Sequence, residues 1–376
     1  MRVAMPGTGG AAGWPEPGCR CASCRGAALR GPGRRPSAVL VDDVLRLDLS
    51  GPASGGRASG GLPAGGLEPG GPEAGGLDAG GLDAGGYAVR EVPGGWDVTA
   101  PDGERLLCAA GTGAVPEPPP GAASYDYAVL DLLGNPAQLG LLRKQGLVTA
   151  HTAISLACAD HRAGSERDVE DRCGFWGARA ARDGERVTAG RSEEKRGRVL
   201  VVGGARSGKS ARAELRVAAE PDVCYVATGP GAPGDAEWAA RLAAHRARRP
   251  AWWRTVETTD LAGVLTGAAG TGAASVLIDG IGTWLAAVMD ESGIWDGRPG
   301  AQERLADRTA GLVRAWRETC YHVIAVSDET GLGLVPETPG GRLFRDELGR
   351  LNQALAAESE IIEFVLAGRV LPLSLW

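Results

Sequence analysis

From residue 198 to the end of the chain, short apolar runs alternate with longer segments in which apolar residues recur every three or four positions. The first pattern is typical of buried strands and the second of amphipathic helices, so their alternation predicts a parallel α/β sheet. The predicted strands cover residues 198–203, 222–228, 252–257, 275–279, 321–327 and 361–366. The predicted helices cover residues 209–219, 235–248, 259–267, 281–290, 301–318 and 342–357.

Residues 1–190 have a different pattern, with two short strands joined by an Asp-Asp turn at 37–49, an antiparallel set of strands within 87–109 and a buried strand at 127–133. The segments with strand or helix patterns are 37–49, 87–92, 96–99, 105–109, 127–133 and, for one helix, 136–146. Residues 51–86 repeat Gly-Gly-Leu-x-x, and the entropy cost of ordering so much glycine exceeds what scattered leucines return. We expect this insert to be a flexible linker or a disordered loop, and residues 191–197 to be a charged interdomain linker.

Composition narrows the class of protein. The chain has 376 residues, of which 43% are hydrophobic, and this length suits two or three domains. Its net charge of −6 argues against a nucleic-acid-binding surface over the whole chain. No apolar run reaches about 18 residues and no signal peptide is evident, so we expect a cytoplasmic protein without a membrane span. In that compartment the eight cysteines are more often free thiols or metal ligands than disulfides.

A phosphate-binding loop lies between the first predicted strand and the first predicted helix of the C-terminal half. Its pattern, G-x-x-x-x-G-K-S, is formed by Gly203, Gly204, Ala205, Arg206, Ser207, Gly208, Lys209 and Ser210. The glycines let backbone N–H groups converge on phosphate oxygens, and the helix N-terminus adds a positive dipole end. Lys209 can reach the β- and γ-phosphates, and the Ser210 hydroxyl can ligate Mg²⁺. A chance match in a glycine-rich chain is the alternative, but the flanking strand and helix favour a nucleoside triphosphate site.

Two further residues are candidates for the chemistry. Asp279 ends a hydrophobic strand, where P-loop proteins place an acid that supports Mg²⁺, although an ordinary strand-end aspartate is the alternative. His245 lies near the end of a predicted helix, among Arg246, Arg248 and Arg249. Its spacing leaves two interpretations open. It is either a half-buried histidine that closes the helix near the negative dipole end, or a nucleophile for an α-phosphate whose leaving pyrophosphate is held by the arginines.

These motifs resemble those of the bifunctional adenosylcobinamide kinase / adenosylcobinamide-phosphate guanylyltransferase family. The similarity is collinear over residues 198–376 and includes two later motifs, Val-Ser-Asp-Glu-Thr-Gly-Leu-Gly-Leu-Val-Pro at 326–336 and Phe-Arg-Asp-Glu-Leu-Gly-Arg-Leu-Asn-Gln at 344–353. The chain departs from the family pattern at Asp328, which replaces an asparagine. It also departs at Gly280 and Gly282, where bulkier residues are usual.

The resemblance implies a RecA-like P-loop NTPase fold with two activities. One activity phosphorylates adenosylcobinamide with ATP or GTP. The other transfers GMP from GTP to adenosylcobinamide phosphate through a guanylylated histidine. On this chain His245 would accept the GMP, and the residues near the nucleotide would include Thr228, Arg249, Glu257 and Asp279. A homotrimer and a requirement for Mg²⁺ are also implied. The alternative is a P-loop regulatory or scaffold protein that has lost transfer chemistry, which the retention of His245 and its arginines disfavours.

The N-terminal half resembles metallo-β-lactamase-fold phosphodiesterases in its Gly-Thr-Gly and in the C-x-C-x-x-C motif formed by Cys19, Cys21 and Cys24. In that family a later histidine completes a structural zinc site, and His161 is the candidate here; three free thiols in a loop are the alternative. The catalytic motif H-x-H-x-D-H is absent from the sequence. We therefore expect a degenerate, non-hydrolytic metallo-β-lactamase-like α/β domain that serves as a structural appendage.

Overall fold

The computed structural model describes residues 1–49, 58–60, 82–84, 86–110, 123–188, 197–229, 249–267 and 275–373. The chain divides into two compact units, each with its own sheets and cores. The first unit comprises Met1–Lys195 with Ala219–Pro221, and the second comprises Arg196–Ala218 with Asp222–Trp376. No helix in the described ranges is long and apolar enough to cross a membrane.

The first unit contains two sheets. Its strands are β1 (Val3–Gly7), β2 (Ala38–Val41), β3 (Leu45–Asp48), β4 (Ala58–Gly60), β5 (Leu82–Ala84), β6 (Tyr87–Val92), β7 (Gly95–Thr99), β8 (Arg105–Ala109), β9 (Tyr127–Leu130), β10 (Ala153–Leu156) and β11 (Arg186–Val187). The strand orders are β11-β1-β2-β3-β4 and β10-β9-β8-β7-β6-β5. Its helices are α1 (Ala22–Ala28), α2 (Pro136–Lys144) and α3 (Glu166–Trp176). Only the pairs β8–β9 and β9–β10 are parallel among these described strands.

One core contains buried side chains from both sheets of this unit, with Val3 and Met5 of β1 in the same cluster as Trp96 and Val98 of β7. The antiparallel strands predicted at 87–92, 96–99 and 105–109 are confirmed. Strands β2 and β3 are joined by an Asp-Asp turn, as predicted, and both aspartates have positive φ angles. Strand β1 was not predicted because Val3–Gly7 ends in a glycine and contains a proline, residues that weaken a strand pattern.

Two short strands lie inside the segment that the sequence predicts to be disordered. Strand β4 pairs with β3 and strand β5 pairs with β6, both antiparallel, so each extends a sheet at its edge. Backbone pairing at a sheet edge needs few apolar side chains, and an argument from composition therefore misses it. The prediction of disorder over 51–86 is wrong for these two strands. Residues 50–57, 61–81 and 85, and most of the predicted linker at 191–197, lie outside the described residues.

The second unit contains one sheet. Its strands are β12 (Arg198–Gly203), β13 (Val223–Ala227), β14 (Arg254–Glu257), β15 (Ser275–Asp279), β16 (His322–Asp328), β17 (Ile361–Leu366) and β18 (Arg369–Pro372). Their order is β14-β13-β15-β16-β12-β17-β18, and every pair except the antiparallel β17–β18 is parallel. Its described helices are α4 (Lys209–Val217), α5 (Leu261–Leu265), α6 (Ile281–Ser292), α7 (Ala301–Glu318) and α8 (Pro339–Ala357). The predicted parallel sheet is confirmed, and the predicted helix at 235–248 lies outside the described residues.

This sheet is buried on both faces. Along β12, Leu200 and Val202 belong to one core cluster, whereas Val199 and Val201 belong to another. Burial on both faces explains why the parallel strands read as continuous apolar runs in the sequence. Strand β18 was not predicted because it lies at the sheet edge and its side chains are mostly exposed.

A buried ion cluster connects α4 to β17. Arg212 and Arg216, one turn apart on α4, both donate hydrogen bonds to the Glu363 carboxylate, at 2.7–2.9 Å and 2.8–3.2 Å respectively. Burial by itself raises the pKa of Glu363. The hydrogen bonds and charges of the two arginines outweigh burial and lower that pKa from 4.5 to about 2. The carboxylate is therefore ionised at neutral pH and holds the helix against the strand that neighbours β12.

We expect Glu363→Gln to lower the free energy of unfolding of the second unit by about 3 kcal/mol at pH 7, because Arg212 and Arg216 lose the charge of this buried carboxylate. The wild-type pKa is lower in the folded state, so this stabilisation is present above pH 4.5 and is lost as the pH falls toward 2. Denaturant unfolding of the full chain at pH 7 and pH 3 should therefore show a smaller difference between variant and wild type at pH 3.

The matched control is Glu291→Gln, which removes an exposed ion pair with Arg308 and should change stability by less than about 1 kcal/mol. An equal loss at both pH values for Glu363→Gln would contradict the role given to its charge.

Candidate functional site

The phosphate-binding loop turns from strand to helix as the sequence predicts. Strand β12 ends at Gly203 and helix α4 begins at Lys209. A Cβ atom at Gly203 would lie 2.5 Å from the backbone oxygen of Val365, so a larger residue does not fit there. Gly208 has a φ of +98°, a backbone conformation that is unfavourable for residues with a Cβ atom. Gly204 faces open space, and Ala205 and Arg206 are exposed, so this part of the loop backbone is accessible to a ligand.

Backbone hydrogen bonds hold the loop from both sides. The N–H of Gly368, in the β17–β18 turn, donates to the carbonyl oxygen of Ser207 at 2.8 Å. The N–H of Glu329, which follows β16, donates to the carbonyl oxygen of Gly203 at 3.1 Å. The Ser207 hydroxyl is buried and has no hydrogen-bond partner among the described residues. The loop is thus positioned by the two strands on either side of β12.

Lys209 has an internal anionic partner. Its Nζ atom lies 2.8 Å from Oδ1 of Asp328 and 3.3 Å from the carbonyl oxygen of Gly204. A Cβ atom at Gly282 would lie 2.6 Å from Oδ2 of Asp328. Two departures from the family pattern are therefore adjacent in space, since the glycine leaves room for the aspartate. A triphosphate that binds Lys209 must share the ammonium group with this carboxylate or displace it.

Asp279 lies beside the loop at the end of β15. The Ser210 hydroxyl donates to its Oδ1 at 3.2 Å, and the Tyr225 hydroxyl donates to its Oδ2 at 2.6 Å. A serine hydroxyl next to a carboxylate is a set of hard oxygen donors that fits Mg²⁺. Burial, followed by the charge and hydrogen bond of Asp279, raises the pKa of Tyr225 far above its ordinary value, so this hydroxyl stays a donor. Sequence reasoning missed Tyr225 because a tyrosine in an apolar strand looks like an ordinary core residue.

The other predicted nucleotide residues lie in or next to the neighbouring strands β13 and β14. The Thr228 hydroxyl, just after β13, donates to the carbonyl oxygen of Gly280 at 2.6 Å and is buried. The Arg249 guanidinium lies 3.6 Å from the ring centroid of Tyr225. Glu257 ends β14, at the level of Ala227 in β13. Ligands of parallel α/β sheets bind at the carboxyl ends of the strands, which is where Thr228 and Glu257 lie.

His245, the predicted guanylyl acceptor, lies outside the described residues, as do Arg246 and Arg248. The description resumes at Arg249, four residues further along the chain. His322, the other histidine of this unit, begins β16, and its Nδ1 lies 2.9 Å from the carbonyl oxygen of Gly197. It is mostly buried, and it lies at the edge of the sheet opposite the phosphate-binding loop.

In the first unit, the four predicted zinc ligands lie together. The ligand atoms of Cys19, Cys21, Cys24 and His161 are all within 4.8 Å of one another. The Nδ1 atom of His161 is 3.7 Å from the sulfur of Cys19 and 3.7 Å from that of Cys24. Cys21 caps helix α1 and accepts a hydrogen bond from the N–H of Cys24. Three thiols and one imidazole at these separations fit a tetrahedral zinc ion.

A second group of potential metal ligands in this unit is filled by an arginine. The Arg162 guanidinium donates to both oxygens of Asp131 at 3.0 Å and to both oxygens of Asp160 at 2.8 and 3.0 Å. It also donates to the carbonyl oxygen of Cys158 at 3.0 Å. The guanidinium thus occupies the space between the two carboxylates and offsets one of their two charges, and this arrangement does not fit a metal ion held by the same two aspartates.

Residues 199–373 match the family described as cobinamide kinase / cobinamide phosphate guanyltransferase. The bifunctional adenosylcobalamin biosynthesis protein CobP of Pseudomonas aeruginosa is 41% identical over 181 residues, which is 47% of this chain and 96% of that protein. The corresponding CobU proteins of Salmonella typhimurium and Escherichia coli are 37% and 35% identical, each over 45% of this chain and 96% of the relative. An ATPase from a bacterial type III secretion system is matched at a TM-score of 0.30 and 12% identity, over 45% of this chain and 50% of that chain, which is too distant to bear on the fold. Through its second unit, the chain belongs to the cobinamide kinase / cobinamide phosphate guanyltransferase family.

Proposed function

We propose that the second unit phosphorylates adenosylcobinamide with a nucleoside triphosphate and then transfers GMP from GTP to adenosylcobinamide phosphate. The observation that carries this proposal is the convergence of Lys209, Ser210 and Asp279 at one edge of a parallel sheet, in a chain of this family. The product would be adenosylcobinamide-GDP, an intermediate of adenosylcobalamin assembly.

In the kinase step, the hydroxyl oxygen of adenosylcobinamide attacks the γ-phosphorus, the bond to the bridging oxygen breaks, and the nucleoside diphosphate and the hydroxyl proton are released. Lys209 and the loop N–H groups would bind the β- and γ-phosphate oxygens and offset the charge that develops on them. Ser210 and Asp279 would hold Mg²⁺, which neutralises phosphate charge when it is bound. The open space beside Gly204 and the exposure of Ala205 and Arg206 are consistent with access of a triphosphate to the loop.

In the transfer step, a neutral imidazole nitrogen of His245 attacks the α-phosphorus of GTP. The N–P bond forms, the bond to the β-phosphate oxygen breaks, and pyrophosphate leaves. A phosphate oxygen of adenosylcobinamide phosphate then attacks the same phosphorus and the N–P bond breaks, which splits one transfer into two easier ones. Arg249 supports this assignment because it follows His245 closely in the sequence and lies over Tyr225, which contacts Asp279. Its guanidinium can bind the leaving pyrophosphate.

We also propose that Cys19, Cys21, Cys24 and His161 hold one structural Zn²⁺ in a first unit that is a degenerate metallo-β-lactamase-like domain. The close approach of the four ligand atoms supports the zinc site. The absence of H-x-H-x-D-H from the sequence and the occupation of Asp131 and Asp160 by Arg162 support the loss of hydrolytic chemistry. A bound zinc ion would tie the loop before α1 to the segment around His161.

We further propose that the protein acts in the cytoplasm as a homotrimer, with adenosylcobinamide, its phosphate and GTP or ATP as its small-molecule partners. Exposed apolar side chains after β16, namely Leu332, Leu334 and Val335, support self-association. Apolar side chains grouped in one exposed segment are typical of surfaces that are covered in an assembly.

His245→Ala should abolish covalent labelling of the protein by α-labelled GTP and abolish guanylyl transfer. The wild-type label should be labile in acid and stable in base, as expected of an N–P bond. Kinase activity should persist in part, because phosphorylation needs the loop and Mg²⁺ but no covalent step. His151→Ala, an exposed histidine of the first unit, is the matched control and should label as wild type does.

A normal yield of acid-labile GMP adduct in His245→Ala would refute the assignment of this residue. Nucleotide binding by the wild type without either transfer would instead favour a regulatory or scaffold protein.

Metal analysis of the purified full chain should find about one zinc per chain, and the double variant Cys21→Ser/Cys24→Ser should hold almost none. The control Cys320→Ser removes an exposed thiol outside the cluster and should leave the zinc content unchanged. A wild-type protein with only a small fraction of one zinc per chain would refute the proposed zinc site. Robust phosphodiesterase turnover by the same preparation would contradict the degenerate interpretation.

A further inference from the structure

Tyr225 contacts the predicted Mg²⁺ carboxylate from a neighbouring strand. Its hydroxyl donates to Oδ2 of Asp279 at 2.6 Å, whereas Ser210 donates to Oδ1 at 3.2 Å. In the ladder between β13 and β15, Tyr225 is opposite Leu277, two residues before Asp279, so its side chain reaches along the sheet toward the carboxylate. The donor and the acceptor both belong to strands that are paired with each other, so contacts within the protein orient the carboxylate.

The same tyrosine supports an arginine. The guanidinium of Arg249 lies 3.6 Å from the centroid of its ring, and the ring is buried, with only 4% of Tyr225 exposed. A cation over a desolvated aromatic face is attracted by the ring quadrupole. Tyr225 thus makes two contacts. Its hydroxyl binds Asp279, beside the phosphate-binding loop, and its ring packs against Arg249, the first described residue after His245.

We propose that Tyr225 is a positioning residue that links the two halves of the nucleotide site. Its hydroxyl engages Oδ2 of Asp279, so that Oδ1 and the Ser210 hydroxyl would be the pair that holds Mg²⁺, and its ring fixes the guanidinium of Arg249. This inference rests on the proposed function, because it takes Asp279 and Ser210 as the residues that hold Mg²⁺. Partners that orient a metal-binding carboxylate typically change metal affinity by 10- to 100-fold when they are removed.

Two substitutions separate the two contacts. Tyr225→Phe removes the hydroxyl and keeps the ring under Arg249, whereas Tyr225→Leu removes both. The measurement is the affinity for a fluorescent GTP analogue over a series of Mg²⁺ concentrations and in excess chelator. We expect Tyr225→Phe to raise the Mg²⁺ concentration for half-maximal enhancement about tenfold and to leave the affinity in chelator unchanged. Tyr225→Leu should show the same Mg²⁺ defect and also bind the analogue more weakly in chelator.

Tyr321→Phe is the matched control, since Tyr321 precedes β16 at the opposite edge of the sheet and should bind as wild type does. Asp279→Asn provides a second arm of the test, in which Tyr225→Phe is compared with and without the carboxylate. With the carboxylate already lost, adding Tyr225→Phe should produce no further shift in the Mg²⁺ dependence. A wild-type Mg²⁺ dependence in Tyr225→Phe, or a full additional shift in the Asp279→Asn background, would overturn the proposal.

The readout is binding, so it separates this inference from the proposed function. A wild-type protein that binds the analogue in a Mg²⁺-dependent way but transfers neither phosphate nor GMP would refute the proposed function and leave the Tyr225 test intact. Normal transfer by the wild type together with a normal Mg²⁺ dependence in Tyr225→Phe would refute the role of Tyr225 alone.

Discussion

The attachment of helix α4 to strand β17 by Glu363 is the constraint on which the nucleotide site depends. The phosphate-binding loop joins β12 to α4, so its shape is set by the direction in which that helix leaves the sheet. Glu363 lies opposite Val201 in the ladder that β17 forms with β12. The two arginines that bind Glu363 therefore fix the helix to the strand adjacent to the one that begins the loop. A charged cluster is stable in this buried position because the carboxylate receives four hydrogen bonds from two guanidinium groups.

The order of the strands in the sheet determines where the other polar residues of the site lie. Strand β16 lies between β12 and β15, and it ends in Asp328, so this carboxylate comes to lie next to Lys209. Strand β15 ends in Asp279, within reach of Ser210 in the first turn of α4. Strand β13 brings Tyr225 to the far side of Asp279. Each strand in this order adds one polar side chain to the edge at which α4 presents its positive N-terminal end.

The sequence predicts the parallel sheet well because its strands are buried on both faces and read as apolar runs between helices. It also predicts the phosphate-binding loop, because the residues that bind phosphate are adjacent in the sequence and have a fixed spacing. It cannot reveal the role of Tyr225, because the partner of its hydroxyl, Asp279, lies on another strand and is distant in the sequence. The proximity of Gly282 and Asp328 is equally hidden, since nothing local relates one to the other.

In the first unit, the sequence shows the motif with three cysteines, but only a family resemblance points to the fourth candidate ligand, because His161 is distant in sequence and adjacent only after folding. The edge strands β4 and β5 were missed because backbone pairing, not side-chain burial, determines them. The arginine that fills the group around Asp131 also could not be foreseen, since local sequence does not show which carboxylates a guanidinium will reach. The role of His245 remains a prediction from the sequence.

The assignment of the loop to a triphosphate is tested most directly by equilibrium binding of a fluorescent GTP analogue to the full chain with Mg²⁺. Lys209→Ala should weaken binding by about 10- to 100-fold, because a charge-assisted contact to the phosphates is lost. Asp328→Asn should bind at least as tightly as wild type, because the ammonium group no longer has an internal carboxylate as its partner. Wild-type affinity in Lys209→Ala would contradict the assignment of the loop.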